Sequence, residues 1–101
     1  MIINHYGLSR FITFVVGGDE VERGKPAPDC YELAFRRLQS NRRTAKHDCL
    51  VVEDSAVGVA AATSAGLPVC LVPRYPLAEP GNPAYTLSSL EQFPGLVARL
   101  T

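Results

Sequence analysis

The chain has 101 residues, 47% of them hydrophobic and 20% charged, and its ten basic residues balance ten acidic ones. That is the composition of one small globular domain. A net charge of zero argues against a nucleic-acid binder, and no apolar run approaches the roughly 20 residues of a membrane span.

The segment from Met1 to about Leu8 reads as the end of a helix stopped by Gly7. Phe11–Val16 is β-branched and aromatic and ends at Gly17-Gly18, which predicts a strand. The polar stretch from Asp19 to Asp29, with Gly24, Pro26 and Pro28, predicts a loop. A helix is expected from about Pro28, since proline suits a first turn and Asp29 complements the positive end of the helix dipole. Tyr31, Ala34, Phe35 and Leu38 recur at helical spacing and mark its buried face. Cys49–Val52 is a short continuous apolar run, as in a strand of a parallel sheet covered on both faces. Glu53-Asp54-Ser55 ends it, and a helix is predicted from Ala56, capped by Asp54 or Ser55 and closed by Gly66. Val69–Val72 is the next strand, and Pro73–Pro83, with its prolines, is a loop. A short strand near Ala84–Thr86 and a helix from Pro94 to Leu100 complete an α/β domain with a parallel sheet.

Cys30, Cys49 and Cys70 form an odd set without a close pair, as expected of reduced thiols in a cytoplasmic protein. The first residues lack the charged and apolar regions of a secretion signal. His5 and His47 have no ligand pattern around them and read as surface or structural residues. Arg36, Arg37, Arg42, Arg43 and Lys46 read as a solvated basic face.

Two features point to chemistry. Glu53 and Asp54 follow an apolar strand and precede a helix, and in open α/β sheets ligands bind at the carboxyl ends of strands. Two carboxylates there are hard oxygen ligands suited to Mg2+; the plainer alternative is a helix cap beside a solvated acid. Lys25 lies in Gly24-Lys25-Pro26-Ala27-Pro28-Asp29, a loop stiffened by two prolines. An ammonium there suits a phosphate or an acidic cluster, or is simply a surface charge in a turn. A nucleotide-binding phosphate loop is excluded: five residues separate Gly18 from Gly24 where the motif needs four, and Pro26 replaces the hydroxyl residue. Asp19 and Glu20 read as turn residues, and Ser55 as a cap, since no Gly-x-Ser-x-Gly elbow surrounds it.

Gly17-Gly18-Asp19-Glu20-Val21, Gly24–Asp29, Val51–Ala62 and Ala65-Gly66 together resemble the C-terminal half of a haloacid dehalogenase (HAD) superfamily hydrolase, nearest the β-phosphoglucomutase and sugar-phosphate phosphatase branch. The resemblance implies a Rossmann-like three-layer core and Mg2+-dependent phosphoryl transfer on a small phosphorylated metabolite, by a phosphatase or a phosphomutase. It implies that Lys25 steadies the transferring phosphoryl group and that Asp54 is the main metal ligand. Glu53 would bind Mg2+ or support it, and Ser55 and Gly58 would shape the turn into the helix.

The family's Asp-x-Asp nucleophile motif occurs nowhere between Met1 and Thr101. Residues 1–101 are therefore expected to form a single partial core domain, lacking the first two strands, the phosphate-binding Ser/Thr motif and the helical cap, and to be inactive alone. Whether the chain is an enzyme stays open at this point. The alternatives are a non-catalytic interaction fragment and one half of a split enzyme. In the family the missing strands lie between Phe11–Val16 and Cys49–Val52, so both are expected to have unpaired edges that invite self-association or complementation.

Overall fold

A computed structural model describes residues 2–6, 10–14, 20–41, 44–73, 77, 81–92 and 94–96. Gly7, Val15–Asp19, Arg42, Arg43, most of the Pro73–Pro83 loop and residues 97–101 lie outside them.

Among the described residues, five strands form one sheet in the order β2-β1-β3-β4-β5. They are β1 (Ile2–Tyr6), β2 (Arg10–Phe14), β3 (Cys49–Glu53), β4 (Val69–Leu71) and β5 (Tyr85–Thr86). Two helices, α1 (Asp29–Asn41) and α2 (Ala56–Ser64), join the middle of the chain to it. Strands β3, β4 and β5 are parallel, as the apolar runs predict.

The opening segment is a correction to the sequence reading. Residues 2–6 form a strand, not the end of a helix. Ile2 and Ile3 are β-branched and favour extended backbone, and the neighbouring strand edges supply hydrogen-bonding partners that an isolated turn of helix lacks. β1 pairs antiparallel with β2 along Ile2↔Phe14 to Tyr6↔Arg10, and antiparallel with β3 at Ile2↔Val51, Ile3↔Leu50 and Asn4↔Cys49. The edges of β2 and β3 expected to be unpaired therefore both receive β1. Because β1 is antiparallel to each, β2 runs in the same sense as β3, β4 and β5, and β1 alone is reversed.

Side chains alternate across the sheet. Cys49, Val51, Val69 and Leu71 face α1 and α2, where they meet Tyr31, Phe35, Leu38 and Val59. Leu50 and Cys70 face the other way, against Leu87 and Leu96. Leu96 belongs to the helical residues 94–96, so β3 and β4 are covered on both faces. The predicted face of α1 is the buried one: Tyr31, Ala34, Phe35 and Leu38 are each at most 7% exposed.

The small residues of α2 bring it close to its neighbours, with Gly58, Val59, Ala61 and Ala62 buried. Ser55 caps its start by accepting the Gly58 N–H at 3.2 Å. At its end Leu67 N–H donates to Ala62 O and Gly66 N–H to Thr63 O, each at 3.0 Å, with Gly66 at φ +77°. This is the left-handed closure that glycine permits. The Lys46 ammonium adds a 2.6 Å hydrogen bond to Ala65 O, placing a cation at the negative end of the helix.

Candidate active site

The candidate residues Lys25 and Glu53 meet where β3 ends. Residues 20–28 return the chain from the sheet to α1, and two contacts fix this path. Ala27 N–H donates to Gly24 O at 3.1 Å, closing a turn around Lys25 and Pro26. Arg23 reaches forward to Asp29 in the first turn of α1, with Nη2 to Oδ1 at 2.7 Å and Nε to Oδ2 at 3.3 Å. The hydrogen bond from Arg23 holds the Asp29 carboxyl below its ordinary pKa. The loop is thus anchored on both sides of Lys25, whose bond to Pro26 is cis.

From this loop the Lys25 ammonium reaches Glu53 Oε2 at 2.6 Å. The Glu53 side chain is only 4% exposed, whereas that of Lys25 is 37% exposed. One partner is sunk beneath the helices and the other keeps a side open to solutes. The Tyr31 hydroxyl, from the first turn of α1, donates to the same Oε2. The ammonium also lies 5.3 Å from the centre of the Tyr31 ring, within range of a cation–π contact.

Gly58 completes the enclosure from α2. A Cβ at this position would overlap the Glu53 carboxylate and lie 2.7 Å from its Cγ. Glycine is thus needed here for close approach of a side chain, not for an unusual φ.

Electrostatics follow from these contacts. Burial works against ionisation of Glu53, but the hydrogen bonds from Lys25 and Tyr31, with the Lys25 charge, outweigh it and hold the carboxyl below the ordinary glutamate value. Burial, and then the carboxylate it donates to, push the Tyr31 hydroxyl far above the ordinary tyrosine range. Asp54, one residue past the strand, is exposed. The two adjacent acids therefore occupy different environments. Glu53 is engaged by an ammonium and a hydroxyl beneath the helices, and Asp54 stands at the surface.

A family model for haloacid dehalogenase-like hydrolases matches residues 1–66. The chain belongs to the haloacid dehalogenase-like hydrolase family. Among curated HAD-like relatives, it is 41% identical over 96 residues to a plasmid-encoded phosphoglycolate phosphatase of Cupriavidus necator, covering 90% of this chain and 39% of that protein. It is 43% identical over 72 residues to a bifunctional riboflavin kinase/FMN phosphatase of Arabidopsis thaliana, covering 71% of this chain and 18% of that one. Among solved structures, CbbY from Rhodobacter sphaeroides in complex with phosphate superposes with a TM-score of 0.67 at 32% identity, over 75% of this chain and 33% of that one. The chain thus spans well under half the length of these HAD-like proteins.

Two of the candidate residues, Lys25 and Glu53, are in direct contact. Ser55 caps α2, and Gly58 makes room for Glu53. Glu20, read as a turn residue, pairs with Arg37 at 2.8 Å. His47 is exposed beside Asp48, and the His5 side chain lies outside the described residues. Sequence reasoning missed Tyr31 and Arg23. Tyr31 was legible only as an apolar position, although a buried tyrosine usually finds a partner for its hydroxyl.

The donor chemistry at this end of β3 suits Mg2+ in kind, because carboxylate oxygens are hard ligands. Among the described residues no group of three or more acids, histidines or cysteines converges. A Mg2+ ion is commonly held by one or two carboxylates, with waters and phosphate oxygens filling the remaining positions. Of the two acids, only Asp54 is exposed; Glu53 is buried against Lys25 and Tyr31, so the residues present fit a site in which Asp54 would be the contacting carboxylate. No described helix is long and apolar enough to cross a membrane.

Proposed function

We propose that this chain supplies the lysine and metal-binding part of a HAD-type phosphoryl-transfer site acting on a small phosphorylated metabolite, as a phosphatase or a phosphomutase. The observation that carries the reading is the 2.6 Å contact between the Lys25 ammonium and Glu53 at the carboxyl end of β3, one residue before Asp54 in the sequence. Phosphoglycolate and FMN phosphatases among the relatives support the substrate class.

Each residue has a distinct task. Lys25, aimed by Glu53 and still partly open, offsets negative charge on the phosphoryl oxygens. Fixed charges directed at such oxygens are the main source of catalysis in phosphoryl transfer. Asp54 would provide the carboxylate for Mg2+, and Glu53 holds the lysine. When bound, Mg2+ supplies a Lewis acid at the same phosphoryl group. Ser55 and Gly58 fix the start of α2 so that Asp54 stays at the surface and Glu53 stays beneath it.

No Asp-x-Asp occurs in residues 1–101, so the nucleophile of this site is to come from polypeptide beyond them. Approach from the β3 side of the sheet would require such a segment to exchange for β1, which makes complementation by another chain a strand-exchange event.

The test is release of phosphate from a generic phosphate ester in the presence of Mg2+. The 101-residue chain alone is expected to show none. Turnover that is lost in Asp54→Ala would refute the assignment of the nucleophile to polypeptide outside this chain.

A further inference from the structure

Tyr31 lies on the buried face of α1, where phenylalanine would fill the same space, and its side chain carries one polar atom into the core. That atom is the hydroxyl donating to Glu53 Oε2, the oxygen that also receives Lys25. Glu53 is enclosed by α1 on the Tyr31 side and by Gly58 of α2, with no space for a Cβ between. A carboxylate on a flexible side chain is otherwise free to rotate about its last torsion. Here the hydroxyl selects one rotation and presents Oε2 to the loop. The ring of the same tyrosine lies 5.3 Å from the ammonium, so one side chain touches both members of the ion pair.

We propose that Tyr31 is a positioning residue, whose hydroxyl orients the Glu53 carboxylate and thereby aims the Lys25 ammonium into the phosphate position. The importance of this alignment for catalysis rests on the function proposed above; the alignment itself is a property of this chain. Charge-assisted hydrogen bonds are the strong ones, and a carboxylate fixed by two donors at one oxygen holds the second donor more narrowly than it would alone.

The chain contains only two lysines, Lys25 and Lys46, so nitrogen-15 labelling of lysine gives two ammonium signals. Lys46, bonded at 2.6 Å to the O of Ala65, which caps the end of α2, serves as the internal reference for an intact fold. Tyr31→Phe is expected to mobilise the Lys25 ammonium and to speed its hydrogen exchange about tenfold, the factor set by one such hydrogen bond, while the Lys46 signal stays unchanged. A Lys25 ammonium as ordered in Tyr31→Phe as in the wild-type chain overturns the proposal. In the unmodified chain, the Tyr31 hydroxyl proton should exchange slowly and show a cross-relaxation contact to the Lys25 ammonium. Absence of both features overturns it without recourse to a variant. Binding of inorganic phosphate separates the two claims: equal affinity in Lys25→Met and wild type refutes the phosphate role of Lys25, whereas the ammonium signals judge Tyr31 alone.

Discussion

Replacing Gly58 by alanine tests how tightly the site is built. In an ordinary helix interior this change stabilises by about 1 kcal/mol, because alanine is the better helix former. At Gly58 the new Cβ would overlap the Glu53 carboxylate and stand 2.7 Å from Cγ, so α2 must shift or Glu53 must rotate away. Overpacking of this kind costs about 1–3 kcal/mol. Rotation also breaks the hydrogen bonds from Lys25 and Tyr31, and bonds to a charged group contribute about 1.5–3 kcal/mol. Set against the propensity gain, the net effect is a destabilisation of about 1.5–5 kcal/mol. For a domain of this size that lowers the thermal midpoint by about 6–40 °C. Thermal and urea unfolding followed by circular dichroism measure it. A Gly58→Ala chain that is more stable than the parent would refute the reasoning, since it would show that Glu53 does not lie against α2.

Further consequences concern pH, thiols and the helix cap. Because the folded Glu53 carboxyl lies below its unfolded value, its contribution to stability is present above about pH 4.3, the ordinary glutamate value, and is lost as pH falls through the folded value. Glu53→Gln should flatten the acid limb of a stability–pH profile; an unchanged limb would contradict the assignment. Tyr31 has the opposite sign: its raised folded pKa gives stability that is complete below about pH 10 and lost above it, and Tyr31→Phe should remove that alkaline dependence. Cys30, Cys49 and Cys70 are buried, and burial pushes the Cys70 thiol up, so alkylation should proceed only as fast as the chain opens. Rapid labelling under native conditions would contradict this. Lys46→Met removes the cation from the end of α2 and is expected to cost about 1 kcal/mol in urea unfolding.

Much of this architecture was legible in the sequence, for identifiable reasons. The spacing of Tyr31, Ala34, Phe35 and Leu38 gave the face of α1, because a helix has one buried stripe and no competing period appeared. The run ending at Glu53, with Ser55 and Gly66 at their caps, gave β3 and α2 to within a residue or two. The opening segment was misread because Met1–Leu8 is too short to display a period, and its strand is set by the pairing of Ile2–Asn4 with Val51–Cys49, which local sequence does not encode. The motifs marked Lys25, Glu53 and Asp54, but not the division of labour between the two acids. That division depends on strand alternation meeting α1 at Tyr31 and α2 at Gly58, contacts between residues more than twenty apart in one case and five in the other. Tyr31 stayed hidden because its ring satisfies the apolar pattern that revealed the helix.

The most direct measurement is the affinity of the chain for inorganic phosphate, by calorimetric titration with and without Mg2+, in wild type, Lys25→Met and Asp54→Asn. A shared site predicts that Mg2+ tightens phosphate binding, that Lys25→Met weakens it about tenfold or more, and that Asp54→Asn abolishes the Mg2+ effect. Equal affinities in all three chains, or indifference to Mg2+ in the wild type, would show that the ammonium and the acid pair do not serve a common phosphate.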